Sequence, residues 1–348
     1  MKHAATIALI TIAMSLAVFS PKYWQMTQES PGSTVWARGL QFVVQCEEPW
    51  GTKTEDAGLD WRLAPAALAK VLGLQGHAVF IIPWLGLFLL LTQVHQVVIR
   101  HTKSTAMATH TTLLVGTFGV STTVLGWFGI NDAWYALALI LVSFERRLWL
   151  LGAALFIGPW IDERFILALP LAAIIRTQVI PLTRPNLWPQ IGMILGAVSI
   201  YAAIRGVALV GDSALNNNSY ILVALSRFQT WLPTTGTGWF FNLRVGWAPV
   251  VLVFWCLYQN KNKLPFFALL IAALLPMLVI TMVAADTGRT PTLLLPLVLL
   301  GTIRLFELHG ANRAPKIMFA LLLANLVLPA AHVTHKSIEV ISPAPIEW

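Results

Sequence analysis

An all-α transmembrane bundle is the fold class this sequence predicts, polytopic, with about eleven spans and a cytoplasmic N-terminus. Three observations predict it. The 348-residue chain is 57% hydrophobic and only 11% charged, whereas soluble domains carry about 25% charged residues. Apolar runs approaching the roughly 20 residues needed to cross a bilayer recur along its length. Basic residues gather in the very short segments between alternate runs, as cytoplasmic turns do.

Taken in order, residues 4–20 form the first span. Phe19-Ser20-Pro21 lacks the small-x-small pattern of a cleavage site, so this segment reads as an uncleaved anchor. The first outer loop, 21–75, holds Trp24, Trp36, Trp50 and Trp61 among charged groups. From Asp60 to Leu74 its apolar residues recur at helical spacing, predicting an amphipathic helix on the membrane or capping the bundle. Spans follow at 77–99, 105–127, 133–144, 148–161, 165–181 and 188–204. The 133–144 and 148–161 pieces are short for full crossings at 1.5 Å per residue, and read as tilted spans or paired half-helices. A second outer loop, 205–238, contains an interfacial helix over Tyr220–Trp231 and a hinge or lid over Thr234–Gly238. Spans at 239–258, 264–285, 291–305 and 316–333 complete a single integral membrane domain, 1–348. The tail after about Ala331, with Pro343 and Pro345, is expected to be exposed and poorly ordered.

This order of spans puts thirteen of the fifteen carboxylates outside, leaving only Glu145 and Glu307 within. Twelve of the 23 basic residues crowd the short inner turns. The net charge of +8 therefore reports orientation, and no basic, aromatic-interleaved face suggests nucleic acid. The expected setting is a bacterial cytoplasmic membrane with the working face outward. Cys46 and Cys256 fall on different levels, which excludes an intrachain disulfide.

Three outer turns place ionisable residues at helix ends. Asp162-Glu163-Arg164 lies between Trp160 and an apolar run; it is either a solvated turn or a carboxylate base beside an anion-binding arginine. Asp286-Thr287-Gly288-Arg289-Thr290-Pro291 joins a planar guanidinium to a following helix N-terminus, both suited to an anion. In Asn131-Asp132, the aspartate also suits an N-cap. Glu47 and Glu48 form a vicinal acid pair that reads as a solvated bend or as a metal or acceptor site, so a divalent cation is the one cofactor considered. Arg244, about five residues into its span, either snorkels or faces a cavity as a phosphate ligand. His95 and His110 read as interfacial histidines rather than a haem pair. There is no zinc-protease motif, nucleophile elbow or phosphate-cradling loop.

The N-terminal span, long acidic outer loop and acid–arginine turns resemble the GT-C superfamily of polytopic membrane glycosyltransferases. Trp160 through Phe165, followed by Leu167-Ala168-Leu169-Pro170-Leu171, also resembles a string in uncharacterised bacterial membrane proteins. The GT-C resemblance implies transfer of a sugar from a polyprenyl-phosphate carrier to a hydroxyl at the outer face. It places the base on an acid of the first outer loop, where Glu47 and Glu48 lie further from the first span than the family's pattern. The expected base is thus Asp162, Glu163, Glu47 or Glu48, with Arg164, Arg289, Asp286, Arg244 and Asp132 binding phosphate or substrate. Membrane lipids are expected partners. A transporter or lipid flippase, and a non-catalytic subunit of a membrane complex, are the competing readings. Solvated arginines at this interface should be removable without unfolding the bundle.

Overall fold

The computed structural model describes residues 2–19, 36–50, 61–180, 184–211, 234–283, 287–334 and 338–341. Its helices are α1 (Lys2–Phe19), α2 (Ala37–Glu47), α3 (Leu63–Val71), α4 (Ile81–Thr102), α5 (Thr105–Gly116) and α6 (Gly119–Gly126). They continue as α7 (Asp132–Phe144), α8 (Leu148–Ile161), α9 (Arg164–Val179), α10 (Arg184–Gly211) and α11 (234–243). The last three are α12 (Trp247–Tyr258), α13 (Leu264–Val283) and α14 (Leu295–Val327). The described residues form an all-α membrane architecture to which one short hairpin is added.

Among the described residues six helical stretches, not eleven, are long and apolar enough to cross a membrane: Lys2–Phe19, Gly76–Thr102, Trp188–Val207, Thr234–Tyr258, Lys261–Val279 and Thr290–Val327. The difference has physical causes. The run expected at 105–127 is broken between α5 and α6 at Thr117-Phe118, where Phe118 is extended (φ −75°, ψ 163°). The 13-residue α7, 14-residue α8 and 16-residue α9 are too short to qualify. Conversely, 291–305 and most of 316–333 fall within one helical stretch, Thr290–Val327, and the last residues of the second expected span form β1. The stretch leaves helical geometry at Gly310, whose φ of 68° and ψ of −178° suit only a residue without Cβ.

Gly310 makes this stretch double back. Gly288 N donates to Val333 O at 2.9 Å, so the residues flanking the two ends of the 38-residue segment Thr290–Val327 meet. A straight helix of that length would hold them about 57 Å apart. The two arms therefore run antiparallel, with Gly310 at the far end. Beyond them, β1 (Ala330–Val333) pairs antiparallel with β2 (Ile338–Ile341), Ala330 opposite Ile341. The tail expected to be poorly ordered thus begins with a hairpin whose first strand is buried. It closes on the 287–289 turn, because Val333 O also accepts from Thr287 Oγ1 at 3.3 Å.

The core is one apolar cluster. It includes Leu87, Leu90, Leu91, Met107, Leu114, Tyr135, Leu139, Phe165, Leu297 and Leu300. Helix α4 packs against α1, α5 and α7; α9 against α7 and α13; and α14 against α5 and α12. A smaller cluster around Trp36, Phe42, Phe80 and Phe128 holds α2 on the bundle. The amphipathic helix expected over 60–74 is present as α3, which buries Leu63, Pro65, Ala66 and Ala69. Thr234–Gly238, expected as a hinge or lid, is instead the start of α11. The interfacial helix over 220–231 lies outside the described residues.

Candidate functional site

Asp162 ends α8 in extended geometry (φ −161°, ψ 130°), and α9 starts two residues later. Its carboxylate turns forward and accepts from Arg164 N at 3.0 Å. This satisfies a donor of the first turn as an N-cap does. The same carboxylate receives the Arg164 fork, Nε to Oδ1 at 2.8 Å and Nη2 to Oδ2 at 2.7 Å. Asp132 opens α7 and receives a second fork, from Arg289 Nε at 2.6 Å and from Arg289 Nη2. Arg164 Nη2 joins the two pairs through Asp132 Oδ1 at 3.4 Å.

Two aspartates and two arginines therefore form a buried, formally neutral quartet, each residue no more than 7% exposed. Three turns separated widely in sequence meet there and bring together Asp132, Asp162, Arg164 and Arg289. The turns are not solvated, however, and both guanidinium groups already face carboxylates. Asp132 caps nothing through its side chain; both its oxygens go to arginines. Tyr135, one helical turn along α7, lies with its ring centroid 5.3 Å from the Arg164 guanidinium carbon. Its hydroxyl and that of Thr290 are buried without hydrogen-bond partners among the described residues.

From this quartet the charges continue outward in alternation. Arg62 Nη2 stands 3.4 Å from Asp162 Oδ2 and 3.5 Å from Glu163 Oε1. The Glu163 side chain is 40% exposed. Around this open end, the Arg205 guanidinium carbon lies 4.5 Å from the Trp61 ring centroid. Arg205 Nη1 also donates to Tyr201 Oη at 3.3 Å, and Tyr201 meets Trp160 edge-on at 5.0 Å. Arg62, Tyr201 and Arg205 were not singled out from sequence. Arg62 carried one signal, its place beside Trp61 at the start of an amphipathic helix.

Burial would by itself raise the Asp162 carboxyl. Arg164 first, then Arg62, reverse this and hold it well below the usual carboxylate range. A general base works best with a pKa near the operating pH, so Asp162 is a poor proton acceptor. Glu163 has far fewer donors and reaches solvent.

The other predicted residues lie apart from this ladder or outside the described chain. Glu47 and Glu48 are exposed at the end of α2, and the Glu47 carbonyl accepts from Lys70 Nζ at 3.0 Å. Among the described residues no three His, Cys, Asp or Glu side chains group as metal ligands. Asp286 is outside the described residues. Arg244 neither snorkels nor lines an open cavity. It is 1% exposed, has φ 50°, and donates to Leu328 O at 2.9 Å and to Thr117 O. Asn325 completes that knot, donating to Thr117 Oγ1 at 2.6 Å and accepting from Val245 N at 3.0 Å. Arg244 thus ties the break after α5 to the end of α14. His110 Nδ1 pairs with Pro315 O at 2.9 Å, whereas His95 is buried against His3.

No family model, curated protein or solved structure matches the chain. The long apolar helices make it a polytopic integral membrane protein. Its activity must be argued from the site alone.

Proposed function

We propose that the chain transfers a sugar from a polyprenyl-phosphate carrier to an acceptor hydroxyl, using the open end of the charge ladder. The observation that carries this reading is the exposure of Glu163 beside Arg62, with Trp61, Trp160 and Arg205 around them. In the proposed step the acceptor oxygen attacks the anomeric carbon and its proton passes to Glu163. The bond from that carbon to the carrier phosphate breaks, and the phosphate leaves with the electron pair. Arg62 and Arg205 stabilise the departing anion, as preorganised cations do. Asp162, Arg164, Asp132 and Arg289 hold the turn in place and touch no reactant. This revises the sequence-based roles: the base is Glu163, and the phosphate ligands are arginines with unsaturated donors.

The saturation of Arg164 and Arg289 by carboxylates favours a second reading, a non-catalytic subunit whose quartet is purely structural. Transfer of a labelled sugar from a polyprenyl-phosphate donor by the purified protein separates the two. Glu163→Gln should lower transfer by about 100-fold or more while donor binding persists. Normal transfer by that variant would remove Glu163 from the mechanism. An intact protein that neither binds nor turns over the donor would establish the subunit reading.

A further inference from the structure

The opposite end of the bundle carries a cleft of different character. Helix α13 runs 20 residues from Leu264 toward the carboxylate end, or about 30 Å. The cleft at its start therefore lies a membrane thickness away from the ladder. Gln178 of α9, Cys256 of α12, Lys263 and Arg304 of α14 line it. Val253, Leu257, Phe266 and Leu300 form its apolar wall. The cleft is shallow: its enclosed part holds only about 20 Å³, and the rest opens at its mouth.

Its charges are unevenly satisfied. Arg304 Nη1 is bound by Glu307 Oε2 on the same helix, whereas Lys263 has no ion pair among the described residues. Lys261 shares the turn with Lys263 but does not line the cleft. An ammonium, a half-neutralised guanidinium and a carboxamide thus converge where acyl chains would meet an apolar wall. We infer that this cleft binds the phosphate of an anionic glycerophospholipid, with Lys263 as its main cation, Arg304 as its second and the apolar wall against the acyl chains. Basic pockets between helices at the membrane surface recognise such headgroups. The inference is independent of the sugar-transfer reading, since no residue is shared.

The chain supplies its own reporter. Cys46 is 2% exposed, and burial, then Glu47, pushes its thiol up to about 12, so it stays unreactive near neutral pH. Cys256 is partly exposed in the cleft. The full-length protein in neutral detergent is labelled with a maleimide while phosphatidylglycerol, phosphatidylcholine of the same chain length, or inorganic phosphate is titrated. Phosphatidylglycerol should slow labelling at concentrations at which phosphatidylcholine does not. Lys263→Gln should weaken this protection about fivefold, the change that one basic side chain contributes at an anionic surface. Glu307→Gln should strengthen it by freeing Arg304, and Lys261→Gln should leave it unchanged. Equal protection by both lipids, or a Glu307→Gln variant weaker than the parent, would overturn the inference. So would equal loss in Lys261→Gln and Lys263→Gln, which would mean diffuse attraction to the basic turn. Protection by inorganic phosphate at the same concentration as the lipid would keep a phosphate site but reject its lipid source.

Discussion

Removing one member of the buried quartet should cost more stability when the aspartate is lost than when the arginine is lost. Asp132→Ala removes the carboxylate that both Arg289 and Arg164 reach, while the Asp162 carboxylate is already occupied by two Arg164 bonds. A guanidinium cannot shed its proton to escape burial. Arg289→Ala strands Asp132 beside one distant donor, Arg164 Nη2 at 3.4 Å, but a carboxylate can take up a proton. Breaking a buried pair by deleting one partner costs about 3–5 kcal/mol. We expect Asp132→Ala at the upper end of that range and Arg289→Ala at or below its lower end. Asp132→Leu combined with Arg289→Met removes both charges at similar volume and should recover most of the loss. The assay is reversible unfolding of purified protein in mixed micelles, read by tryptophan fluorescence. Single variants within about 0.5 kcal/mol of the parent, as at ordinary surface sites, would refute the buried quartet. So would a double variant no better than the worse single.

Two further outcomes follow from the same charges. Because the Asp162 carboxyl is held below its unfolded value of about 3.9, its contribution should be fully present above that value and lost only as pH falls further. The stability difference between parent and Asp162→Asn should stay flat from about pH 5 to 8 and shrink below about pH 4; a change centred near pH 6 would contradict the pairing. Reporters fused after Lys263 and inserted near Asn217 should report the cytoplasmic and outer sides respectively, and finding both on one side would end the sidedness argument.

Membrane character, helical class and the meeting of three polar turns were legible because each rests on local chemistry. Apolar runs must be satisfied by helices in lipid, and acids beside arginines at helix ends seek partners. Burial was not legible. Nothing in Asp162-Glu163-Arg164 reveals that Asp162 faces inward while Glu163 faces out, because that depends on the extended residue between α8 and α9. Arg62 was invisible as a partner of Glu163, and Arg205 as a neighbour of Trp61, since their proximity is created by tertiary packing of α3 and α10 on α8. Span counting failed where helices break. Thr117-Phe118 lies in a run without proline or charged residues, yet the helix breaks there and the buried Thr117 carbonyl is taken by Arg244 from a distant helix end. The last reversal, by contrast, falls in the gap read between 305 and 316, where Gly310 takes a positive φ.

The central claim is that a lipid-linked phosphate docks on Arg62 and Arg205, beside Glu163. Photocrosslinking of the full-length protein with a diazirine-bearing polyprenyl phosphate, followed by peptide mapping, tests it most directly. The account predicts crosslinks in 61–71 and 160–166 that disappear in Arg62→Ala with Arg205→Ala. Crosslinks confined to 253–266 and insensitive to those substitutions would contradict it.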